Sequence, residues 1–187
     1  MNKIITSSLM ALAIIGSAQA AEYTLDKAHS SVNFRIKHMG ISSVNGKFDN
    51  FDANIDAQNG TIKSLTAIIK TASVDTDNEK RDEHLRSADF FDVAKFDDMK
   101  FQMNEFKKDG DDAKVYGTLT IKGVSKPVKL DYEFGGAKKD DNGKERIGFN
   151  LEGKIKRSDF GFADSFTSNA MLGDEVKINI DVEAVSK

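Results

Sequence analysis

The sequence predicts an all-β protein: eight antiparallel strands closed into a barrel, with one short helical insertion between the third and fourth strands. Three observations carry this. Apolar and polar side chains alternate along most of the chain, the period-2 signature of strands with one face in water. Turn signals such as Asn59-Gly60, Asp109-Gly110 and Asn142-Gly143 punctuate the alternation. One stretch, Ser73 to Phe91, breaks the pattern and reads as helix. An open sheet of eight amphipathic strands exposes two sticky edges, and closure removes them. A two-sheet sandwich is the other arrangement compatible with the pattern.

Residues 1–20 are read as a secretory signal. Lys3 precedes the apolar run Leu9 to Ile15, and Ala18-Gln19-Ala20 has the small-residue pattern of a cleavage site. The run is too short to span a bilayer. Cleavage after Ala20 is expected to leave one domain, residues 21–187, exported and periplasmic in a cell with two membranes. With no cysteine near the cleavage site a lipoprotein anchor is not expected, and with none anywhere the fold uses no disulfide. A domain of this size hides roughly 70% of the surface its unfolded chain exposes, enough for one core without metal support. The formal net charge is −3. That balance argues against a nucleic-acid partner and provides no attraction to anionic membrane surfaces.

In chain order, Val32, Phe34, Ile36 and His38 alternate with Asn33, Arg35 and Lys37 to make the first strand. Val44, Gly46 and Phe48 start the second, but Phe51, Ala53 and Ile55 fall on the opposite parity, which predicts a bulge near Asp49-Asn50. Gln58-Asn59-Gly60 turns the chain into Leu65, Ala67, Ile69 and Thr71, where Ile68 interrupts the alternation. Thr76 and Glu79 have capping-box spacing, so a helix is expected to start there. Ser87 or Asp89 is placed to cap a second turn carrying Phe90 and Phe91. With charge on one side and Leu85, Phe90 and Phe91 on the other, this segment reads as a plug over one end of the β structure.

The fourth strand starts at Phe101 and Met103, and Lys108 to Asp111 turns it into Val115, Gly117, Leu119 and Ile121. Gly123 to Lys126 is read as a turn, with Pro127 at a strand start where its missing N–H is tolerable. Val128, Leu130, Tyr132 and Phe134 follow. The polar loop Lys138 to Lys144 leads to Ile147, Phe149, Leu151 and Ile155, and the last strand carries Val176, Ile178, Ile180 and Val182. An outer-membrane barrel is apolar outside and polar within, which would bury these strands' Lys, Asp and Glu in lipid or lumen. The pattern therefore predicts a barrel with a charged outer face and an apolar interior.

Eight strands enclose a lumen that side chains fill or that holds one small ligand, and periodicity does not choose. Two features favour a cavity. Gly46, Gly117 and Gly153 fall on inward parity, where a filled core prefers volume, and Met99, Met103 and Met171 are adaptable packers for a flexible apolar guest. The long loop Arg157 to Gly173 carries Phe160, Phe162, Phe166, Met171 and Leu172, which either cover the barrel end or form a mouth.

Several motifs are shared, in order, with a known family. They are Asp26-x-x-His29-Ser30-x-Val32-x-Phe34-x-Ile36-x-His38-x-Gly40, Val44-x-Gly46-x-Phe48-x-x-Phe51 and Ser73-Val74-Asp75-Thr76. Arg81-Asp82-x-His84-Leu85, Asp89-Phe90-Phe91-Asp92, Gly117-x-Leu119-Thr120-Ile121-x-Gly123-Val124 and Arg157-x-Asp159-Phe160-Gly161 follow. On these the chain resembles the YceI family of exported polyisoprenoid-binding proteins over essentially all of residues 21–187. The resemblance implies a lipocalin-like eight-stranded barrel, often a homodimer, holding an isoprenoid or other long-chain amphiphilic lipid in its lumen.

The residues expected to line that lumen are Phe34, Ile36, Phe48, Phe51, Leu65, Leu85 and Phe90, followed by Phe101, Met103, Leu119, Ile121, Phe149, Phe160 and Met171. Arg81, His84, Arg86 and Arg157 are candidates to contact a pyrophosphate or amide head group through charge-assisted hydrogen bonds. The alternative for the arginines is solvated surface or pairing with Asp82 and Asp89. No cofactor and no metal are expected.

An enzyme reading would gather His29, His38 and His84 into one site. They lack the i, i+4 spacing of a helical zinc site, and no acidic residue is placed among them as an obvious general base. If the segment stays extended, nine steps at roughly 3.3 Å hold His29 and His38 about 30 Å apart. A filled barrel with a structural role in stress is the remaining alternative.

Overall fold

A computed structural model describes residues 20–162 and 171–187. The signal segment, except Ala20, and Phe166 therefore lie outside the described residues. The strands are β1 (Ala21–Leu25), β2 (Ser31–His38), β3 (Ser42–Phe48), β4 (Phe51–Gln58), β5 (Thr61–Lys70) and β6 (Val74–Asp75). After helix α1 (Glu79–Arg86) come β7 (Asp98–Asp109), β8 (Asp112–Ile121), β9 (Val124–Lys139), β10 (Glu145–Lys156) and β11 (Leu172–Ser186).

These segments form one antiparallel sheet in which β1, β4, β5, β7, β8, β9, β10 and β11 follow one another, and β11 pairs back onto β1. The ring is a closed eight-stranded barrel, as expected. Closure depends on a strand that was not foreseen. β1 is only five residues long, yet Tyr23 pairs with Ile55 of β4 on one side and with Ser186 of β11 on the other. β11 is long enough to carry β1 near its end and β2 along most of its length. Among the described residues, no helix is long and apolar enough to cross a membrane.

The chain breaks between β3 and β4 at Asp49-Asn50, where the parity change lies, and Phe48 and Ile55 on either side are both buried. Ile68, the interruption in β5, points out and is 45% exposed. The β4–β5 hairpin turns on Asn59 and Gly60, both with positive φ, as a two-residue primed turn requires. The β8–β9 hairpin differs from expectation. It turns on Lys122 and Gly123, also both with positive φ, so β9 begins at Val124 and Pro127 lies inside the strand.

The helix starts two residues later than the capping-box reading placed it. Asn78 is the cap, its side chain accepting the Arg81 N–H at 3.0 Å. Thr76 is drawn elsewhere: its N–H and hydroxyl both donate to the buried Asp82 carboxylate, at 3.0 and 2.5 Å. Ser87 closes α1 rather than opening a second turn of helix, and Phe90 and Phe91 follow on a hydrogen-bonded turn.

Two apolar clusters pack the inside of the barrel and leave a space between them. One packs Tyr23, Ile62, Val115, Leu130, Ile147 and Phe149, and there Tyr132 makes ring contacts with Phe106 and Phe149 at 5.1 and 5.5 Å. The other gathers Phe48, Ile69, Val74, Met99, Ile121 and Phe160 beneath the helical segment.

The inward glycines have a different purpose from the one expected. A Cβ on Gly46 would stand 2.3 Å from the Phe34 ring, one on Gly117 2.4 Å from the Phe101 ring, and one on Gly153 2.5 Å from Leu130. The space these glycines leave is filled by neighbouring side chains and adds nothing to an open lumen.

Candidate functional site

A cavity of about 240 Å³ lies inside the barrel beneath the helical segment, and its accessible wall is apolar throughout. β2 and β3 supply Phe34, Ile36, Val44 and Phe48. β4 and β5 supply Phe51, Leu65, Ala67 and Ile69, and Phe101, Leu119 and Ile121 come from β7 and β8. Alternation puts these side chains inside, because every second residue of a strand points to the same face.

The lid is aromatic. Leu85 of α1 and Phe90 and Phe91 of the following turn border the cavity. Phe91 packs edge-on against Phe48 at 5.7 Å and Phe162 at 5.2 Å, while Phe34 lies 5.6 Å from Phe48. Such tilted and edge-on pairs are worth about 0.5–1.5 kcal/mol each beyond the area they bury. Phe160, 1% exposed, closes the wall below them from a 3-10 turn, Arg157–Phe160.

Most residues expected at the lumen line this cavity: Phe34, Ile36, Phe48, Phe51, Leu65 and Leu85, then Phe90, Phe101, Leu119, Ile121 and Phe160. Three do not. Phe149 is buried in the other cluster beside Tyr132, Met103 packs partly buried against that same cluster, and Met171 is 51% exposed. Parity assigns a side chain to the inside of a barrel without giving its height along the axis. Phe91, which borders the cavity and links Phe48 to Phe162, was not among the expected residues, although it adjoins Phe90 in the Leu85…Phe90-Phe91 pattern. Leu25 was missed together with its strand.

The four head-group candidates separate. Arg81 and Arg157 border the cavity, but both guanidinium groups are engaged by the protein. Arg81 donates Nε to the Thr76 hydroxyl and Nη2 to the Thr76 carbonyl, each at 2.7 Å. The buried Arg157 donates to the carbonyls of Gly173, Phe162 and Leu172 at 2.9, 3.0 and 3.3 Å. Arg86 bonds the carbonyls of Ala72 and Val74, both at 2.8 Å. His84 stands at the surface, 3.3 Å from Asp89. Asp82, one of the acids weighed as their partner, instead accepts from Thr76.

The histidines are dispersed. His29 lies 3.1 Å from Asp26, so an acidic neighbour absent from the sequence reading is supplied by the fold, as Asp89 is for His84. Asp26, His29 and Glu183 come within 4.8 Å of one another, but Arg146 already joins the two carboxylates, its Nη1 at 2.9 Å from Asp26 and 2.6 Å from Glu183. The hydrogen bonds from Arg146 and His29 hold the Asp26 carboxyl down at about 2. This group fastens the end of β1 to β10 and β11, and none of its side chains borders the cavity.

A closed barrel of eight antiparallel strands around an apolar cavity is the class of small barrel whose interior is wide enough for one small ligand. The chain belongs to the YceI family, whose YceI-like domain matches residues 23–184. It is 43% identical to Protein YceI of Salmonella arizonae over 176 residues, 92% of this chain and 91% of that protein. The crystal structure of the Campylobacter jejuni YceI protein is similar at 50% identity and a TM-score of 0.74, covering 88% of this chain and 98% of that one. A polyisoprenoid binding domain from Saccharophagus degradans, 17% identical, shares the fold at a TM-score of 0.66 over 90% of this chain and all of the other.

Proposed function

We propose that this protein is a periplasmic carrier that sequesters the apolar chain of an isoprenoid or similar long-chain amphiphile in its barrel and performs no chemistry on it. The observation that carries the reading is the cavity itself, a void walled by phenylalanine and aliphatic side chains with no accessible polar surface. Membership of the YceI family and the fold shared with a polyisoprenoid binding domain support it. In this reading the apolar residues bordering the cavity are the ligand-binding residues, export is directed by the signal in residues 1–20, and the working unit is a homodimer.

The driving force is transfer of hydrocarbon out of water, about 0.8 kcal/mol per methylene. At roughly 30 Å³ per water-sized group, the cavity holds about eight carbons. They supply roughly 6 kcal/mol before association costs are subtracted. Arg81 and Arg86 tie α1 to the backbone carbonyls of Ala72, Val74 and Thr76, Arg157 is bonded to the carbonyls of Phe162, Leu172 and Gly173, and none is assigned to a ligand head group.

The test is displacement of a fluorescent acyl-chain probe by amphiphiles of increasing chain length. Affinity should rise about three- to fourfold per methylene until the cavity is full at about eight carbons, and more slowly after that. A folded protein that takes up no probe would mean that the cavity is core and the barrel structural.

A further inference from the structure

The barrel wall is split on one side. β10 pairs with β9 only as far as Gly153 opposite Leu130. Beyond that point β9 stays with β8 down to Val124 opposite Ile121, while β10 stays with β11 up to Lys156 opposite Glu175. Continued register would set Lys154 against Lys129 and Lys156 against Pro127, and Pro127 has no N–H to donate to a longer ladder.

An external groove of about 1040 Å³ runs over this seam. Phe34, Val128, Ile155, Phe160 and Ile178 border both the groove and the internal cavity. The 3-10 turn carrying Phe160 packs against β9, β10 and β11, so its fully buried ring is among the side chains that stand between the two spaces.

Among the described residues, one end of the barrel is packed by Phe106, Tyr132 and Phe149, and the other carries Leu85 and Phe91 over the cavity. The ladder also lapses between the start of β5 and the end of β7, but there Ile62 and Leu65 are buried in the core.

We infer that the β9–β10 seam is a lateral portal, through which the chain of a single-chain amphiphile enters sideways past Phe160 while its polar end stays in the outer groove. This rests on the reading of the cavity as a chain-binding site. It also resolves a mismatch of size, since a ligand longer than about eight carbons exceeds the cavity at roughly 30 Å³ per group and the groove receives the remainder. The groove suits a polar end. Lys126, Lys129, Lys154 and Lys156 line it together with Asp131, Glu152, Asp159 and Glu175, and Lys154 pairs with Glu175 at 3.1 Å.

The experiment is stopped-flow uptake and release of a fluorescent fatty-acid probe by full-length mature protein and two variants. Lys129→Cys with Lys154→Cys, oxidised to the disulfide, staples the seam; Lys129→Glu places a carboxylate opposite Lys154 and draws it shut. Both rates should fall at least tenfold in the oxidised pair and recover with reductant, and should fall severalfold in Lys129→Glu. Equal rates for the parent and Lys129→Glu, or for the oxidised and reduced pair, would overturn the portal and leave the cavity reading intact. A parent protein that binds no probe would overturn both.

Discussion

Phe34 lies directly across the β2–β3 ladder from Gly46, and its ring occupies the space a side chain at position 46 would need. Phe34 borders the cavity, and the missing Cβ at position 46 is what leaves room for the end of its ring. Gly46→Ala should therefore displace Phe34 into the void. Overpacking of this kind costs about 1–3 kcal/mol, to be read by urea denaturation. Probe affinity should fall at the same time, since the ring moves into the space the chain occupies.

Phe34 and Phe149 both point inward, yet only Phe34 borders the cavity, so substitutions at the two should have opposite signatures. Phe34→Asp places a charge in an apolar void and should lower probe affinity at least tenfold, by an order-of-magnitude argument from burial of an unpaired charge. Phe149→Ala should cost about 3–5 kcal/mol of stability and leave the affinity of the folded fraction unchanged. Denaturant melts and probe titrations on the same samples separate the two.

The Asp26–Arg146 pair predicts an acid-side dependence. Because the native Asp26 carboxyl titrates at about 2, below its ordinary value near 4, its stabilising effect is present above the ordinary value and lost as pH falls through 2. Arg146→Met should lower the melting temperature at neutral pH. The gap from the parent should close as pH is lowered from about 4 to 2, measured by thermal melts across that range.

An alkaline counterpart lies at Tyr23. Burial and the hydrogen bond its phenol donates to Glu145 push it up to about 12. A raised phenol stabilises the fold below its unfolded value near 10, and that contribution is lost as pH rises toward 12. Tyr23→Phe should flatten the loss of stability over this interval in alkaline melts, and should cost about 1–2 kcal/mol at neutral pH from the lost hydrogen bond.

The strands were legible because alternation is a local property, and where it was long, as in β2, β8 and β11, side chains fell on the faces it assigned. β1 was not, because Ala21–Leu25 offers two inward residues, Tyr23 and Leu25, immediately after the cleavage signal. Its structural importance comes from partners more than 30 and 150 residues away in sequence, Ile55 and Ser186. Lys122 carries a positive φ that no turn-forming residue type announces, so the turn was expected too late and Pro127 at a strand start, where the structure has it inside β9.

The cavity was legible as a set of inward residues but not as a place. Phe101 and Phe149 share a parity, yet only Phe101 borders the cavity, and Arg81, Arg86 and Arg157 all donate to backbone carbonyls, which a sequence does not display. The seam was not legible, because it takes the end of the ladder at Leu130 and Gly153 to show that continued pairing would set Lys129 against Lys154.

The most direct measurement is native mass spectrometry of protein purified from its own cell envelope without detergent, followed by extraction and identification of whatever it carries. A stoichiometric isoprenoid or acyl amphiphile is expected on each protomer, in an assembly of twice the protomer mass. Bare protein under conditions that preserve the assembly, together with failed probe uptake, would contradict this expectation.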